Sequence, residues 1–405
     1  MTTPAADRST PLDTIVGTWP LLLGMGVLML GAGLQSTLLG VRATLEGFPT
    51  TVTGVIMSCY YVGYLFGTMT APRIVRTVGH IRAFAALAAV SSAAILTQGV
   101  FVNPVTWGVM RLLSGLCFAG IYVVAESWLN DRASRATRGR LFAIYMVVLY
   151  IGLGTGQFLL IPWDTHTSSP FMVVAVLISL AMVPIVLSAQ QAPEVALPRK
   201  VRLRDLYRDS PLGVAGVTIA GLISSIIFSM GPVYARLSGL GMTKVAAFMS
   251  LSILAGVVMQ YPVGRLSDKM DRRAMIAMVS LIATGVAGGI AIFSHLPHPV
   301  FLVLTATFSG FALTLYSLSV SHVNDKLESA EMVAASSALL RINGTAAAFG
   351  PALIGALMAL FGPRAYFASL ASLTGALTLF DVWRSMRRRA VPGQKNPFVN
   401  TRPRA

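Results

Sequence analysis

Twelve apolar runs of spanning length divide this chain, over residues 18–41, 51–72, 81–101, 104–128, 139–161, 169–189, 212–235, 244–263, 274–294, 299–322, 332–360 and 363–384. A helix needs about 20 mostly apolar residues to cross roughly 30 Å of hydrocarbon. Only 11% of the 405 residues are charged and 55% are hydrophobic, too little charge to cover the surface of a water-soluble protein of this length. Lipid is therefore the solvent for most of the chain. A strand barrel needs ten-residue segments of alternating polarity, and these runs do not alternate. Their glycines are compatible with helices, because small residues let neighbouring spans approach closely. The sequence thus predicts an all-α integral membrane protein with 12 transmembrane helices.

The charges fix an orientation. With both termini cytoplasmic, 25 of the 31 basic residues fall in cytoplasmic segments, while Arg42, Arg236, Lys244 and Arg364 face the other side. Arg111 and Arg341 alone lie within spans. This is the positive-inside asymmetry, and an even number of spans lets both termini share a side. It accounts for the net charge of +16 without nucleic acid, whose recognition would gather basic residues on one folded face beside base-contacting aromatics. The first run follows a stretch with a single Arg8, is too long for a signal-peptide core and lacks a small-residue cleavage site, so it reads as a retained span. Cys59 and Cys117 fall inside spans and read as small hydrophobes.

The stretch Gln190 to Pro211 carries five basic residues and divides the spans six against six. The organisation read from this is a cytoplasmic tail at 1–17, a six-helix bundle at 18–189, a basic linker at 190–211, a second bundle at 212–384 and a basic tail at 385–405. Short matches recur across the divide. Met57-Ser58 returns at Met249-Ser250, and Pro72–Ile81 aligns without gaps on Gly264–Arg273. Ser114-Gly115 returns at Ser309-Gly310, and Asn130-Asp131 at Asn324-Asp325. The near-constant offset points to two parallel halves.

The charged loop Gly264-Arg-Leu-Ser-Asp-Lys-Met-Asp-Arg-Arg273 resembles the cytoplasmic signature between the second and third helices of each half in the major facilitator superfamily. Asp268 stands in the acidic position, and Arg272 and Arg273 close the motif. In the first copy Arg73, Gly79, His80 and Arg82 remain, but Arg76 occupies the acidic place. The run Arg111 to Asp131, with Arg138-Gly-Arg-Leu-Phe-Ala-Ile-Tyr-Met, is similar to the bacterial YcaD-like branch. The resemblance implies two six-helix bundles related by a pseudo-two-fold axis that rock about a midplane site. It also implies that Gly264, Arg265, Asp268, Arg272 and Arg273, with Arg73, Gly79 and Arg82, form a conformational latch of ion pairs rather than a solute site. A topology-setting basic loop is the simpler alternative.

Ionisable groups within the bilayer are rare and usually functional. Counting roughly 1.5 Å per residue from Met332 puts Arg341 some 14 Å deep, near the midplane, as a partner for an anionic group or a mobile proton, with Asn343 as its hydrogen-bonding companion. A structural arginine capping the carbonyls of a broken helix is the alternative. Arg111, about 10 Å from the outer surface, either snorkels or serves as the arginine of the family's fourth-helix motif, which is linked to proton coupling. Glu126 is expected to pair with the arginine-rich loop after it, or to take up and release protons as a cavity opens. No acid lies at the midplane of the first span, which counts against a strongly cationic solute. In this superfamily the first, fourth, seventh and tenth helices line the cavity, and this favours Gln35, Tyr122, Phe228 and Tyr316. Tyr60, Tyr61, Gln157 and Ser229 are further candidates, each explicable as interhelical packing.

No Walker loop, dinucleotide fingerprint, His-Glu-x-x-His motif or nucleophile elbow occurs, so neither an enzyme nor an ATP-driven pump is expected. The five histidines fall in loops or at span ends without ligand spacing, and no metal or cofactor is expected. The sequence reads as a monomeric secondary transporter of the cytoplasmic membrane. It would move a small amphipathic or anionic organic solute, coupled to protons. A proton-driven multidrug exporter and a non-transporting membrane sensor are the alternatives.

Overall fold

Helices make up the regular structure among the described residues of the computed structural model, which are 11–133, 137–187, 207–208, 210–293, 296–325, 327 and 329–387. The tail residues 1–10 and 388–405 and most of the expected linker, 188–206, lie outside them. Twelve helices are long and apolar enough to span a bilayer. They are α1 (Pro11–Leu45), α2 (Thr50–Val78), α3 (His80–Val100), α4 (Pro104–Arg132), α5 (Arg138–Gly156, continued by a 3-10 turn over Gln157–Leu160) and α6 (Ser169–Val186) in the first half. The second half holds α7 (Pro211–Leu237), α8 (Met242–Ser267), α9 (Arg272–Ile292), α10 (His298–Asn324), α11 (Ser329–Phe361) and α12 (Ala365–Arg387).

The helices overrun the apolar runs, mostly at the basic face. Of the ten-residue loop expected at Gly264–Arg273, only residues 268–271 are non-helical: α8 continues through Gly264 and Arg265 to Ser267, and α9 opens at Arg272. Asp271 caps α9, its Oδ1 accepting from the Arg273 amide at 3.0 Å, which satisfies one of the free donors of a helix start. In the first half the break shrinks to Gly79, whose φ of 87° and ψ of 163° suit glycine. Similarly, residues 11–17, read as tail, open α1. Hydropathy stops at the first charge, whereas a helix continues into the headgroup region while its backbone ladder is satisfied.

One pairing scheme is built twice. In the first half α1 packs on α5, α2 on α4, and α3 on α4 and α6; in the second α7 packs on α11, α8 on α10, and α9 on α10 and α12. This is the pseudo-two-fold arrangement of two six-helix bundles. Lipid supplies little hydrophobic drive between helices, so close fit holds each bundle together. The outer surface is correspondingly apolar: Ile292 and Leu360 are each 75% exposed.

The halves meet along α2 with α11, α1 with α7, and α5 with α8. At the face opposite the arginines the seam is tight. Thr50 Oγ1 donates to the Gly355 carbonyl at 2.9 Å, and the Ala352 amide donates to Ser58 Oγ at 3.1 Å. A side chain at Gly54 would run into the Pro351 carbonyl, and one at Gly355 into the Thr50 carbonyl. Toward the basic face α2 and α11 instead border a cavity between the halves.

Candidate functional site: a central cavity open to the basic face

A cavity of about 890 Å³ lies between the halves and reaches the basic face past Arg73 and Arg76. From the first half Gln35, Arg111, Tyr122 and Glu126 line it, and from the second Phe228, Tyr316, Arg341 and Asn343. All eight in-span candidates therefore border one space. Of the further candidates, Tyr60, Tyr61 and Ser229 also border it, whereas Gln157 does not. Gln157 is fully buried, bonded to Thr37, to Ser36 Oγ at 3.3 Å and to the Leu153 carbonyl at 3.0 Å. It ties the end of α5 to α1.

Arg341 opens onto the cavity. One turn on, Gly344 abuts Leu65 of α2, close to the middle residue of Thr50–Val78, and this register sets Arg341 near mid-depth. No carboxylate among the described residues pairs with it. Asn343 is not its hydrogen-bonding companion: its Nδ2 donates to the Val217 carbonyl of α7 at 3.1 Å. Asn343 thereby fastens the wall on which Arg341 stands.

Arg111 does not snorkel. It is 6% exposed, its guanidinium carbon lies 4.4 Å from the Tyr60 ring centre, and its Nε has no hydrogen-bond partner. A cation over an aromatic face keeps part of the stabilisation it loses on leaving water. Gln35 is similarly incomplete: it is 3% exposed and its Nε2 donor is unpartnered. Among the described residues none forms an ion pair or hydrogen bond with Glu126, Arg132, Arg138 and Arg140 included; Arg135 of the loop after it lies outside them. Six residues of helix carry Arg132 round to another face, out of the three- and four-residue spacings that bring side chains together.

Sequence reasoning missed Tyr64, Tyr150 and the two rim arginines as lining residues. The four-residue spacing of Tyr60 and Tyr64 was the available signal, since it stacks them on one face of α2. The second, fifth, eighth and eleventh helices contribute to this cavity as well as the four expected ones.

At the loop between α8 and α9, Arg272 Nε reaches Asp325 Oδ2 at 2.7 Å and its Nη2 reaches Asp268 at only 3.7 Å. Arg273 Nε contacts Asp381 Oδ1 at 2.5 Å, and its Nη2 donates to the Asp381 carbonyl at 2.7 Å. Among the described residues Arg265 reaches Tyr261 alone, at 3.4 Å. Every described partner belongs to the second half, so these contacts brace one bundle and do not bridge two in this conformation. The acids at their centre are Asp325 and Asp381 rather than the exposed Asp268; the repeated Asn-Asp pair at 130–131 and 324–325 was the sequence signal for the first of them. In the other half Arg73, Arg76 and Arg82 are exposed, and the buried His80 lies 2.7 Å from Ser127 Oγ through its Nε2. Asp381→Asn is expected to cost about 1–3 kcal/mol, seen as a melting temperature lower by several degrees in detergent. An unchanged melting temperature would show the brace to be dispensable.

The family model described as Major Facilitator Superfamily matches residues 21–341 and 251–403. The chain belongs to this superfamily. Among its relatives, an MFS-type transporter named YcaD from Escherichia fergusonii is 27% identical over 324 residues, spanning 79% of this chain and 83% of that protein. The YcaD of Salmonella arizonae is 28% identical over 332 residues, with the same coverage. The resemblance of the fourth helix to that branch is thus matched by similarity over 79% of the chain. Among solved structures, a mutant of the nucleoside transporter NupG superposes with a TM-score of 0.79 at 12% identity, covering 91% of this chain and 99% of that one. A bacterial homologue of the lysosomal transporter Spinster, inward-facing and occupied, gives 0.74 at 14% identity over 95% and 100%. At these identities the likeness is one of fold. Membership of the superfamily makes the chain a secondary transporter of small molecules and not an enzyme.

Proposed function

We propose that the protein is a proton-coupled carrier of a small organic anion, acting as a monomer in the cytoplasmic membrane with both termini and the basic face in the cytoplasm. The cavity is then open to the cytoplasm and sealed at the opposite face. The observation that carries this reading is Arg341 at mid-depth with no ion-pair partner among the described residues, a charge that a bilayer interior tolerates where it serves function. The charge balance of the described lining supports it: Arg73, Arg76, Arg111 and Arg341 stand against Glu126 alone, a field that concentrates anions. Glu126, without a partner among the described residues and nearer the mouth, is the group proposed to carry the proton. The volume suits one drug-sized solute.

The test is purified protein in liposomes with an internal pH dye, challenged with pooled organic acids and, separately, with lipophilic cations. Acid-induced proton flux is the expected result; flux with cations alone moves the assignment to a multidrug exporter. In Glu126→Gln, exchange of labelled for unlabelled solute should persist while solute-driven proton flux falls at least tenfold. Proton flux that survives the substitution takes the coupling role away from Glu126.

A further inference from the structure

The first half contributes most of the aromatic lining of the cavity. In the first half an aromatic surface runs from Phe118 through Tyr60 and Tyr64 to Tyr122, each ring centre 6.3 Å from the next. Tyr61 stands edge-on to Tyr60 at 5.3 Å. All five border the cavity, while the second half supplies Arg341. We propose that the solute is an aromatic acid, whose ring lies on this tyrosine surface while its carboxylate meets Arg341. The proposal rests on the reading that the cargo is an organic anion held by Arg341, and narrows it to one class.

Three features point to a ring. Phenol hydroxyls are poor material for dry packing, since a buried hydroxyl needs a partner. Those of Tyr60 and Tyr64 have none among the described residues and are not shut away from the cavity. These side chains therefore offer a face and a polar tip to whatever fills the space. The rings are tilted or edge-on to one another, arrangements in which aromatic pairs attract, and an inserted ring extends the same pattern. Arg111, held on Tyr60 with its Nε unsatisfied, adds positive potential behind that surface and favours a solute that is both aromatic and anionic. A fatty acid of equal length would satisfy Arg341 but use none of the ring contacts.

The experiment compares 4-hydroxyphenylacetate and indole-3-acetate with hexanoate and octanoate as competitors of one another in exchange across proteoliposomes holding the wild-type protein. The aromatic acids should compete about tenfold more tightly, the scale set by two ring contacts. In Tyr64→Leu the aromatic-to-aliphatic ratio should fall to within twofold of one, and Tyr64→Phe should keep it. Equal competition by both acid classes in the wild type overturns the aromatic assignment and leaves the anion reading standing. If neither class exchanges while lipophilic cations do, the anion reading fails and this inference with it. The wild-type ratio decides the matter even where Tyr64→Leu folds poorly.

Discussion

Arg341→Ala should cut anion-driven flux at least tenfold while leaving a folded protein in the membrane. The guanidinium has no described ion-pair partner, so its removal strands no buried carboxylate, and the surrounding tie from Asn343 to the Val217 carbonyl stays in place. What is lost is the counter-charge for the solute. A charge-assisted hydrogen bond contributes about 1.5–3 kcal/mol, so apparent affinity should fall roughly ten- to hundredfold, and the loss deepens where a carboxylate would have to enter the site unneutralised. Arg341→Lys should recover only part of it, because an ammonium cannot repeat the planar two-pronged grip of a guanidinium. Size-exclusion behaviour like the wild type together with the lost flux is the expected pair of results. Flux within twofold of wild type in Arg341→Ala would remove the residue from the site and make it structural.

The second large effect is expected at a residue that touches no solute. Gly54→Leu places a side chain against the Pro351 carbonyl, where the two halves leave no room for a Cβ. The clash exists only while this face is shut. Overpacking of this kind costs about 1–3 kcal/mol, comparable to the few kcal/mol that separate conformations of a two-state protein, so the equilibrium should move toward opening at the face away from the arginines. Ser229 reports it: it is 2% exposed and its Oγ donates to Tyr61 Oη across the halves at 3.2 Å. With Cys59 and Cys117 replaced by serine, Ser229→Cys should react with a membrane-impermeant thiol reagent added from that face at least tenfold faster in the Gly54→Leu background. Transport should drop in parallel. Unchanged labelling and transport would mean that α2 and α11 can shift to absorb the leucine.

The architecture was legible because hydrocarbon thickness writes itself into the chain as runs of fixed length, and the positions of lysine and arginine then set the orientation expected for them. Where helices end was less legible: Arg265 is charged and helical at once, since backbone hydrogen bonding and partition into lipid are separate requirements. The cavity residues were readable as types. An arginine in an apolar run such as Arg341 calls for a reason, and depth followed from counting rises. Partners were not readable, because they come from far away. Asp381 lies 108 residues from Arg273, and nothing near either announces the other. Arg132 does not meet Glu126 although only six residues separate them, because nearness in the chain is not nearness on a helix. Tyr64 escaped notice because a tyrosine in a span has many uses, and only its neighbours show which one applies.

Among the described contacts, the seam between α2 and α11 holds without a formal charge. Its contacts are a hydroxyl on a carbonyl, an amide on a hydroxyl, and glycine against main chain. The described ion pairs of the α8–α9 turn all lie at the other end of the molecule. In the orientation proposed above, the neutral lock faces surroundings whose salinity and acidity the cell does not govern. Brine or acid outside would leave such a lock at nearly constant strength, because screening and protonation act on ions. The ion pairs that brace the second bundle face the compartment whose ionic composition is held steady, while on the outer side the pair of Arg42 with Glu46, at 2.6 Å, lies within the first half and takes no part in the seam.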